Sequence, residues 1–390
     1  MANNPSDSIK LPIYLDYCAT TPVDTRVLDK MYPYFSRKFG NASSRDHSFG
    51  WDAQEAVEIA RSAAAQIVNV STSDIFFTAS ATESINSAIK GIAFGLKNKG
   101  NHIITTSVEH SAVLQTCRFL EQNGFKITYL SVNNEGNLDL EELKNAIRDT
   151  TILIAVMHAN NETGVIFPIA EIGRIAHEHA ITFFTDATQT VGKIAVDFLS
   201  LNVCCAAFSA HKMYGPKGAA ALYINGIDLR KNIVPLIHGG GQEQNIRSGT
   251  HNVPAIVGFG EACRIAQMEM ETDRVKTMFL RNLWERELTS CITGIQINGC
   301  LKARLPHISN LSFPDIEGRE FIRRINTIAL STSSACSSGT SGASHVLKAM
   351  GKSESSIRGA IRMSCGRFST EEEIRFAVDE FKRTYALKLA

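Results

Sequence analysis

The sequence FSAHKMYGPKG, residues 208–218, follows an apolar run, Val203 to Phe208, and ends in the turn signal Gly-Pro-Lys-Gly. This order predicts a buried strand that leads into a loop carrying Lys212. A lysine beside a serine and a histidine suits a Schiff base with a phosphorylated cofactor. A buried lysine readily loses its proton, as a Schiff base requires, and the hydroxyl and imidazole can contact the phosphate. A surface lysine is the commoner explanation of such a short motif, so the assignment depends on the rest of the chain.

A second apolar stretch, residues 181–186, ends in Asp186, far enough before Lys212 for one helix and a return strand. Open α/β sheets place their ligands at the carboxyl ends of parallel strands. An acid at that position can keep the ring nitrogen of pyridoxal 5′-phosphate (PLP) protonated, so that the ring withdraws electrons. Asp186 and Lys212 together therefore point to a PLP site.

A loop of small residues, 79–84, separates a strand over 75–78 from a helical pattern and contains Ala81 and Thr82. Free backbone N–H groups and the helix dipole make such a helix start an anion site. A threonine that only caps the helix explains the loop equally well. The presence of Lys212 favours phosphate binding.

Strands alternate with helices from residue 75 to 224, which predicts a mainly parallel sheet covered on both faces. Beyond it the pattern predicts two helices, Val257 to Met270 and Asp273 to Leu288, and an alternating strand over 308–313. This later part indicates a smaller α+β unit.

The chain has 390 residues, a formal net charge of +1 and 44% hydrophobic residues, which excludes disorder and allows two domains. The near-neutral charge gives no reason to expect direct nucleic-acid binding. No apolar run is long enough to span a bilayer, and the first residues lack a signal peptide, so we expect a cytoplasmic protein. Nine scattered cysteines without a C-x-x-C pair predict neither a disulfide framework nor a metal site, and Cys18 is given no catalytic role.

Two features of the later part carry chemistry. The segment LSTSSACSSGTSG, residues 330–342, surrounds Cys336 with serine and glycine, which predicts an accessible thiol; a linker with an incidental cysteine is the alternative. Arg362 lies on a predicted strand and can hold a carboxylate through two parallel hydrogen bonds. Arg358 is a competing candidate on chemical grounds.

These motifs, in this order, resemble the IscS/NifS-type cysteine desulfurases, which are fold-type I PLP-dependent transferases. The resemblance runs from Tyr14 to about Arg383. It implies an α/β fold whose large domain, residues 21–264, holds a mainly parallel seven-stranded sheet between helices. Residues 1–20 and 265–390 are implied to form the smaller α+β domain, which carries the cysteine loop.

The resemblance also implies roles for single residues. Lys212 holds the cofactor, His110 stacks on its ring and moves protons, and Cys336 takes sulfur as a persulfide. Arg362 binds the substrate carboxylate, and Asn161 faces both substrate and cofactor. The other implied cofactor contacts are Ala81, Thr82, Asp186, Gln189, Ser209, His211 and Thr250.

The implied substrate is L-cysteine, which becomes alanine, and the sulfur passes to an acceptor protein. The implied assembly is a homodimer in which Thr250 reaches the cofactor of the partner subunit. Residues 39–45, residues 240–243 and the early end of the chain resemble the desulfurases that serve DNA phosphorothioation, with iron–sulfur cluster or thio-cofactor assembly as the other role. A selenocysteine lyase, another PLP lyase or aminotransferase, and a sulfur-relay or scaffold protein remain open.

Overall fold

A computed structural model describes residues 9–332 and 343–389, so Cys336 lies outside the described residues. The strands are β1 Ile13–Tyr14, β2 Ile75–Thr78, β3 His102–Thr106, β4 Lys126–Leu130, β5 Thr151–Ala155, β6 Thr182–Asp186, β7 Cys205–Ser209, β8 Ala220–Ile224, β9 Gln296–Ile297, β10 Ile308–Ser312, β11 Ile328–Ala329 and β12 Ala360–Ser364. The helices are α1 Thr25–Met31, α2 Pro33–Ser36, α3 Ser48–Gln66, α4 Ala81–Gly95, α5 Ser111–Gln122, α6 Leu140–Ala146, α7 Ile169–Glu178, α8 Ile227–Lys231, α9 Val253–Thr289, α10 Gly318–Arg324, α11 His345–Ala349, α12 Glu354–Arg358 and α13 Glu371–Leu389.

The central sheet has seven strands in the order β2-β8-β7-β6-β5-β3-β4. Every pairing in it is parallel except the two that β8 makes, with β2 and with β7. The predicted mainly parallel seven-stranded sheet is therefore confirmed. Because six of the strands run in one direction, the loops after β3, β5, β6 and β7 leave the sheet at the same edge.

Both faces of the sheet are covered, as the continuous apolar runs of its strands require. Ile103 and Leu153 belong to the apolar cluster on one face, whereas their chain neighbours Ile104 and Ile154 belong to the cluster on the other. Successive side chains of a strand point to opposite faces, so these runs serve two cores at once. The sheet is thereby a rigid base for the loops at its edge.

The prediction of two helices over 257–270 and 273–288 was wrong, because α9 is one helix of 37 residues. No glycine or proline lies between residues 270 and 273, and Glu271 forms an ion pair with Arg274 at 2.6 Å, so the helix continues through the charged stretch. This helix begins in the larger part of the chain and ends in the smaller one. The boundary at residues 264 and 265 thus falls inside a continuous helix and stays a prediction.

The smaller unit contains the antiparallel sheet β12-β10-β9 and the parallel pair β1-β11. Its apolar cluster joins Ile13 of β1 with Leu283 of α9, Phe313 and Phe381. The N-terminal strand therefore packs with the C-terminal part of the chain, as expected for an α+β unit. Among the described residues, no helix is both long and apolar enough to cross a membrane.

Candidate active site

A cavity of about 310 Å³ lies at the edge where the parallel strands end. Its wall combines the loops that follow four strands, the start of α4 and a piece of the N-terminal segment. The predicted site residues that line it are Ala81, Thr82, His110, Asn161, Asp186, Gln189, His211 and Lys212. Residues spread over half of the sequence are thus brought to one place by the common direction of the strands.

Lys212 ends a 3-10 turn, Ala210–Lys212, directly after β7. Its Nζ donates hydrogen bonds to the backbone carbonyls of Cys18 and Ala19, the latter at 2.8 Å. Gln189 also donates to the Cys18 carbonyl, at 3.2 Å. These bonds hold the amine of Lys212 at the cavity wall.

Asp186 is the last residue of β6 and is 7% exposed. One of its carboxylate oxygens accepts the backbone N–H of Thr188 at 3.0 Å. This bond orients the carboxylate at the strand end. Asp186 is therefore a buried acid placed in the wall of the cavity that also holds Lys212.

His110 caps the start of α5, where its Nδ1 accepts the backbone N–H of Ala112 at 3.1 Å. The proton of the neutral ring is therefore on Nε2. Burial holds the pKa of His110 below its usual value, although the nearby Asp186 carboxylate acts in the opposite direction. The ring is consequently neutral at neutral pH, a form that can stack on a cofactor and exchange a proton.

The helix start predicted to bind phosphate is capped by Ser80, whose hydroxyl accepts the N–H of Glu83 at 3.1 Å. The Glu83 side chain accepts the N–H of Ala79, the residue before the cap, at 3.0 Å, so the cap and Glu83 together bond two backbone N–H groups at the helix start. Thr82 is thus not the cap, and the alternative explanation of this residue does not apply. Neither the backbone N–H of Ala81 nor that of Thr82 has a partner among the hydrogen bonds of the described residues, as expected for a first helical turn.

Three predicted cofactor contacts differ in their placement. His211 lines the cavity with Nδ1 at 3.2 Å from the Thr20 hydroxyl, and burial lowers its pKa to about 4. Ser209 is buried at the end of β7, where its hydroxyl donates to the Ala219 carbonyl at 3.5 Å, and it does not line the cavity. Thr250 is exposed and lies away from the cavity of its own chain.

Arg362 lies on β12 and is 1% exposed. Its Nη1 donates to the backbone carbonyl of Asn161 at 2.9 Å, and its Nη2 donates to the carboxylate of Asp16 at 2.6 Å. The competing Arg358 is exposed on α12 and pairs with Glu354 at 3.4 Å. The structure therefore joins Arg362, and not Arg358, to a residue of the cavity wall.

The sequence predictions gave no role to Cys18, which lines the cavity beside Lys212. Its Sγ lies 3.8 Å from Nε2 of His307, and burial raises the pKa of the thiol. No periodicity or spacing in the sequence marks this position. Its place follows from the N-terminal strand β1, which carries the segment across to the sheet edge.

Two buried acids beside predicted site residues were also missed. Burial raises the pKa of Glu109, next to His110, to about 8, and that of Glu162, next to Asn161, to about 7. Glu109 accepts the N–H of Met157 at 2.9 Å and so ties the loop after β3 to the end of β5. Adjacency to a predicted site residue was the only signal of either acid in the sequence.

The groups around the cavity match those of PLP. An amine, a buried carboxylate, an imidazole and a helix start with uncommitted N–H groups correspond to its aldehyde, ring nitrogen, ring face and phosphate. The fold and this set of groups define a fold-type I enzyme that uses PLP.

Comparison with known proteins supports this class of enzyme. The Aminotransferase class-V family model matches residues 13–376. Cysteine desulfurase IscS of Anaeromyxobacter dehalogenans is 47% identical over 373 residues, which are 96% of this chain and 92% of that protein. Cysteine desulfurase IscS of Ehrlichia chaffeensis is 48% identical over 371 residues, 95% and 90% of the two chains. A solved NifS-like protein superposes with a TM-score of 0.90 at 38% identity, covering 97% of this chain and 100% of that chain.

The chain therefore belongs to the class-V aminotransferase family and, within it, to the IscS/NifS cysteine desulfurases, which depend on PLP.

Proposed function

We propose that the protein converts L-cysteine to L-alanine, and that Cys336 takes the sulfur as a persulfide and passes it to an acceptor protein. The observation that carries this proposal is the joining of Arg362 to Asn161 at the wall of the cavity that holds Lys212 and Asp186. Arg362 can thereby bind an amino-acid carboxylate close to Lys212, the residue that binds the cofactor aldehyde. The family relationship supports the same reaction.

The N-terminal neighbour of the Cys336 segment supports its assignment as nucleophile. The backbone of Ser331 forms two reciprocal hydrogen bonds with Arg362, at 3.2 and 2.7 Å. Cys336 follows Ser331 by five residues, and a chain of that length spans at most roughly 17 Å. The thiol is therefore within reach of a substrate held by Arg362.

Bound PLP supplies a sink for the electrons released at the α-carbon of the substrate. In the proposed mechanism Lys212 holds the cofactor and moves the α-proton, while Asp186 keeps the ring nitrogen charged. The start of α4 and His211 hold the phosphate, and Arg362 orients the substrate carboxylate. His110, neutral and buried, covers the ring and exchanges protons.

The sulfur step is a transfer between two sulfur atoms. The Cys336 thiolate, which is the reactive form, bonds to the sulfur of L-cysteine as the carbon–sulfur bond breaks. The carbon that loses sulfur is protonated, so L-cysteine and one thiol give L-alanine and one persulfide. No external oxidant or reductant is needed until the persulfide is passed on.

We further propose that the protein is a homodimer and that Thr250 serves the cofactor of the partner subunit. Thr250 is exposed and away from the cavity of its own chain. The aromatic side chains Tyr32, Phe35, Phe39, Phe49 and Trp51 are each more than half exposed. We call this set the aromatic surface; the rings of Phe39 and Phe49 within it lie 5.4 Å apart, and exposed aromatic side chains are enriched at protein interfaces.

The physiological acceptor defines the pathway. A role in DNA phosphorothioation and a role in iron–sulfur cluster assembly share every residue of the proposed reaction. They differ in the protein that receives the persulfide. Single-turnover transfer from persulfide-loaded enzyme to a candidate acceptor from each system separates the two roles.

The test of the reaction measures alanine and sulfide released from L-cysteine in the presence of a reductant. We expect equal amounts of both from the wild type and neither from Lys212→Ala. Cys336→Ser should keep the absorbance of bound PLP and lose the persulfide. Cys291→Ser is the matched control, because that thiol is exposed and outside the cavity.

Persulfide sulfur found on a cysteine other than Cys336 would contradict the nucleophile assignment. Alanine release that survives in Cys336→Ser would point to another PLP reaction. A much higher rate with L-selenocysteine than with L-cysteine would identify a selenocysteine lyase.

A further inference from the structure

The residues that follow the Cys336 segment are attached to the active site by side chains that the proposed reaction does not use. Ser344 is 3% exposed, and its hydroxyl donates to the Glu162 carboxylate at 2.5 Å. The same oxygen accepts the backbone N–H of Leu347 at 3.1 Å and so caps α11. Ser344 therefore joins a helix start to an acid of the cavity loop.

A second attachment lies at the next residue. Nε2 of His345 is 3.0 Å from the backbone carbonyl of Glu109, so the ring donates this bond. In the sequence, Glu109 directly precedes His110, and Glu162 directly follows Asn161. The chain that leaves the Cys336 segment is thus bonded to two of the loops that carry proposed active-site residues, those of His110 and Asn161.

The loop that carries Glu162 cannot easily follow a movement of Ser344. The side-chain oxygen of Asn160 accepts the N–H groups of Glu162 and Thr163, at 2.9 and 3.0 Å. The side chain of Asn310 donates to the Glu162 carbonyl at 3.0 Å, which ties the loop to β10. The Glu162 carboxylate is therefore carried by a loop whose backbone is held in place.

Helix capping alone does not explain this contact. A helix cap needs only the serine oxygen as an acceptor. Here the Glu162 side chain, which is 4% exposed, also accepts a hydrogen bond from the serine hydroxyl. Burying an acid is costly unless it is well bonded. Among the hydrogen bonds of the described residues, the Ser344 hydroxyl is the donor to the Glu162 side chain.

We propose that Glu162 and Ser344 are positioning residues, whose hydrogen bond anchors the chain that follows the Cys336 segment to the cavity loop, and that persulfide formation depends on this anchor. The proposal rests on the proposed function, in which Cys336 is the nucleophile. On the N-terminal side of the segment, Ser331 is hydrogen-bonded to Arg362. The described residues on both sides of the segment are therefore bonded to residues of the proposed substrate site or its loops. Neither Glu162 nor Ser344 touches the reacting atoms.

The test separates substrate binding from sulfur transfer in the PLP-loaded enzyme. Binding of L-cysteine is followed through the cofactor absorbance, and persulfide on Cys336 is followed by rapid quenching, alkylation and mass spectrometry. In Ser344→Ala we expect binding within about 2-fold of wild type and persulfide formation roughly 10- to 100-fold slower, the size of a displacement of about 1 Å. Ser344→Thr retains the hydroxyl and should restore the rate to within about 3-fold.

Ser353→Ala is the matched control. Ser353 caps α12, another five-residue helix, by accepting the N–H of Ser356 at 3.2 Å, and it has no bond to Glu162. It removes a cap of the same kind, so it should leave both steps unchanged. If Ser344→Thr fails to fold, the comparison of Ser344→Ala with Ser353→Ala still decides the outcome.

Equal persulfide rates in Ser344→Ala and Ser353→Ala overturn the proposal. So does an equal loss of binding and transfer in Ser344→Ala, which marks general damage to the fold. A wild type that forms no persulfide on Cys336 refutes the proposed function itself, whereas a wild type that forms it beside an unimpaired Ser344→Ala refutes the positioning role alone.

Discussion

Arg362→Lys tests how the site recognises a carboxylate. The two Nη atoms of Arg362 bond to acceptors in different directions, the Asn161 carbonyl and the Asp16 carboxylate. A lysine ammonium is a single point charge and cannot reproduce a planar fork. The variant therefore keeps the positive charge and loses the geometry with which a carboxylate is held.

The magnitude follows from the number of contacts. A hydrogen bond to a charged group contributes about 1.5–3 kcal/mol, and lysine retains one of the two that a carboxylate would receive. The Kd of L-cysteine should rise by roughly 10- to 150-fold, because about 1.4 kcal/mol corresponds to a factor of ten. Cysteamine, which is cysteine without its carboxylate, should bind with a Kd changed by less than about 3-fold, since it makes no such contact.

The assay titrates each ligand into the PLP-loaded protein and follows the cofactor absorbance. Arg358→Lys is the control, because Arg358 is exposed on α12, and it should bind both ligands as the wild type does. An equal loss of affinity for L-cysteine and cysteamine in Arg362→Lys would refute the reasoning. It would show that the arginine acts through Asp16 and the fold rather than on the carboxylate.

Two further predictions concern protonation and assembly. Burial lowers the pKa of His102 to about 4, and its ring bonds to Thr hydroxyls of two neighbouring strands, so its contribution to stability is complete above pH 6.5 and is lost as pH falls towards 4. At pH 5.5, unfolding of wild type should take up about 0.9 more proton than unfolding of His102→Gln, measured by calorimetry in buffers of different ionisation enthalpy; equal uptake would contradict this. In analytical ultracentrifugation the wild type should have a mass of twice 42.7 kDa, that of a dimer. Phe39→Glu in the aromatic surface should have the mass of a monomer. Leu199→Glu, also at an exposed apolar residue but outside that surface, should remain dimeric, and a monomeric wild type would refute the dimer.

The elements around Lys212 could be read from local signals. An apolar run followed by a turn marks β7, and the same alternation of strand, loop and helix places Asp186, Thr82 and His110 at strand ends or helix starts. These signals are short-range, because side-chain period and turn chemistry depend on neighbouring residues. The sheet and most of the cavity wall follow from them.

Other features depend on residues far apart in the chain. The antiparallel pairing of β8 with β2 joins strands from separate parts of the sequence. The bond from Ser344 to Glu162 joins residues from separate parts of the sequence and has no local signature. Such contacts arise only when the smaller unit packs against the sheet edge.

The sequence by itself determined an α/β chain whose strand ends and helix starts carry an amine, an acid and an imidazole, and these groups indicate a PLP site. Only the tertiary structure showed that Arg362 rather than Arg358 bonds to Asn161 of the cavity wall, and that Cys18 lies beside Lys212. The physical reason is that local periodicity specifies which face a residue takes. Which distant residue it meets is specified by packing of the two units, and that depends on the shape of both.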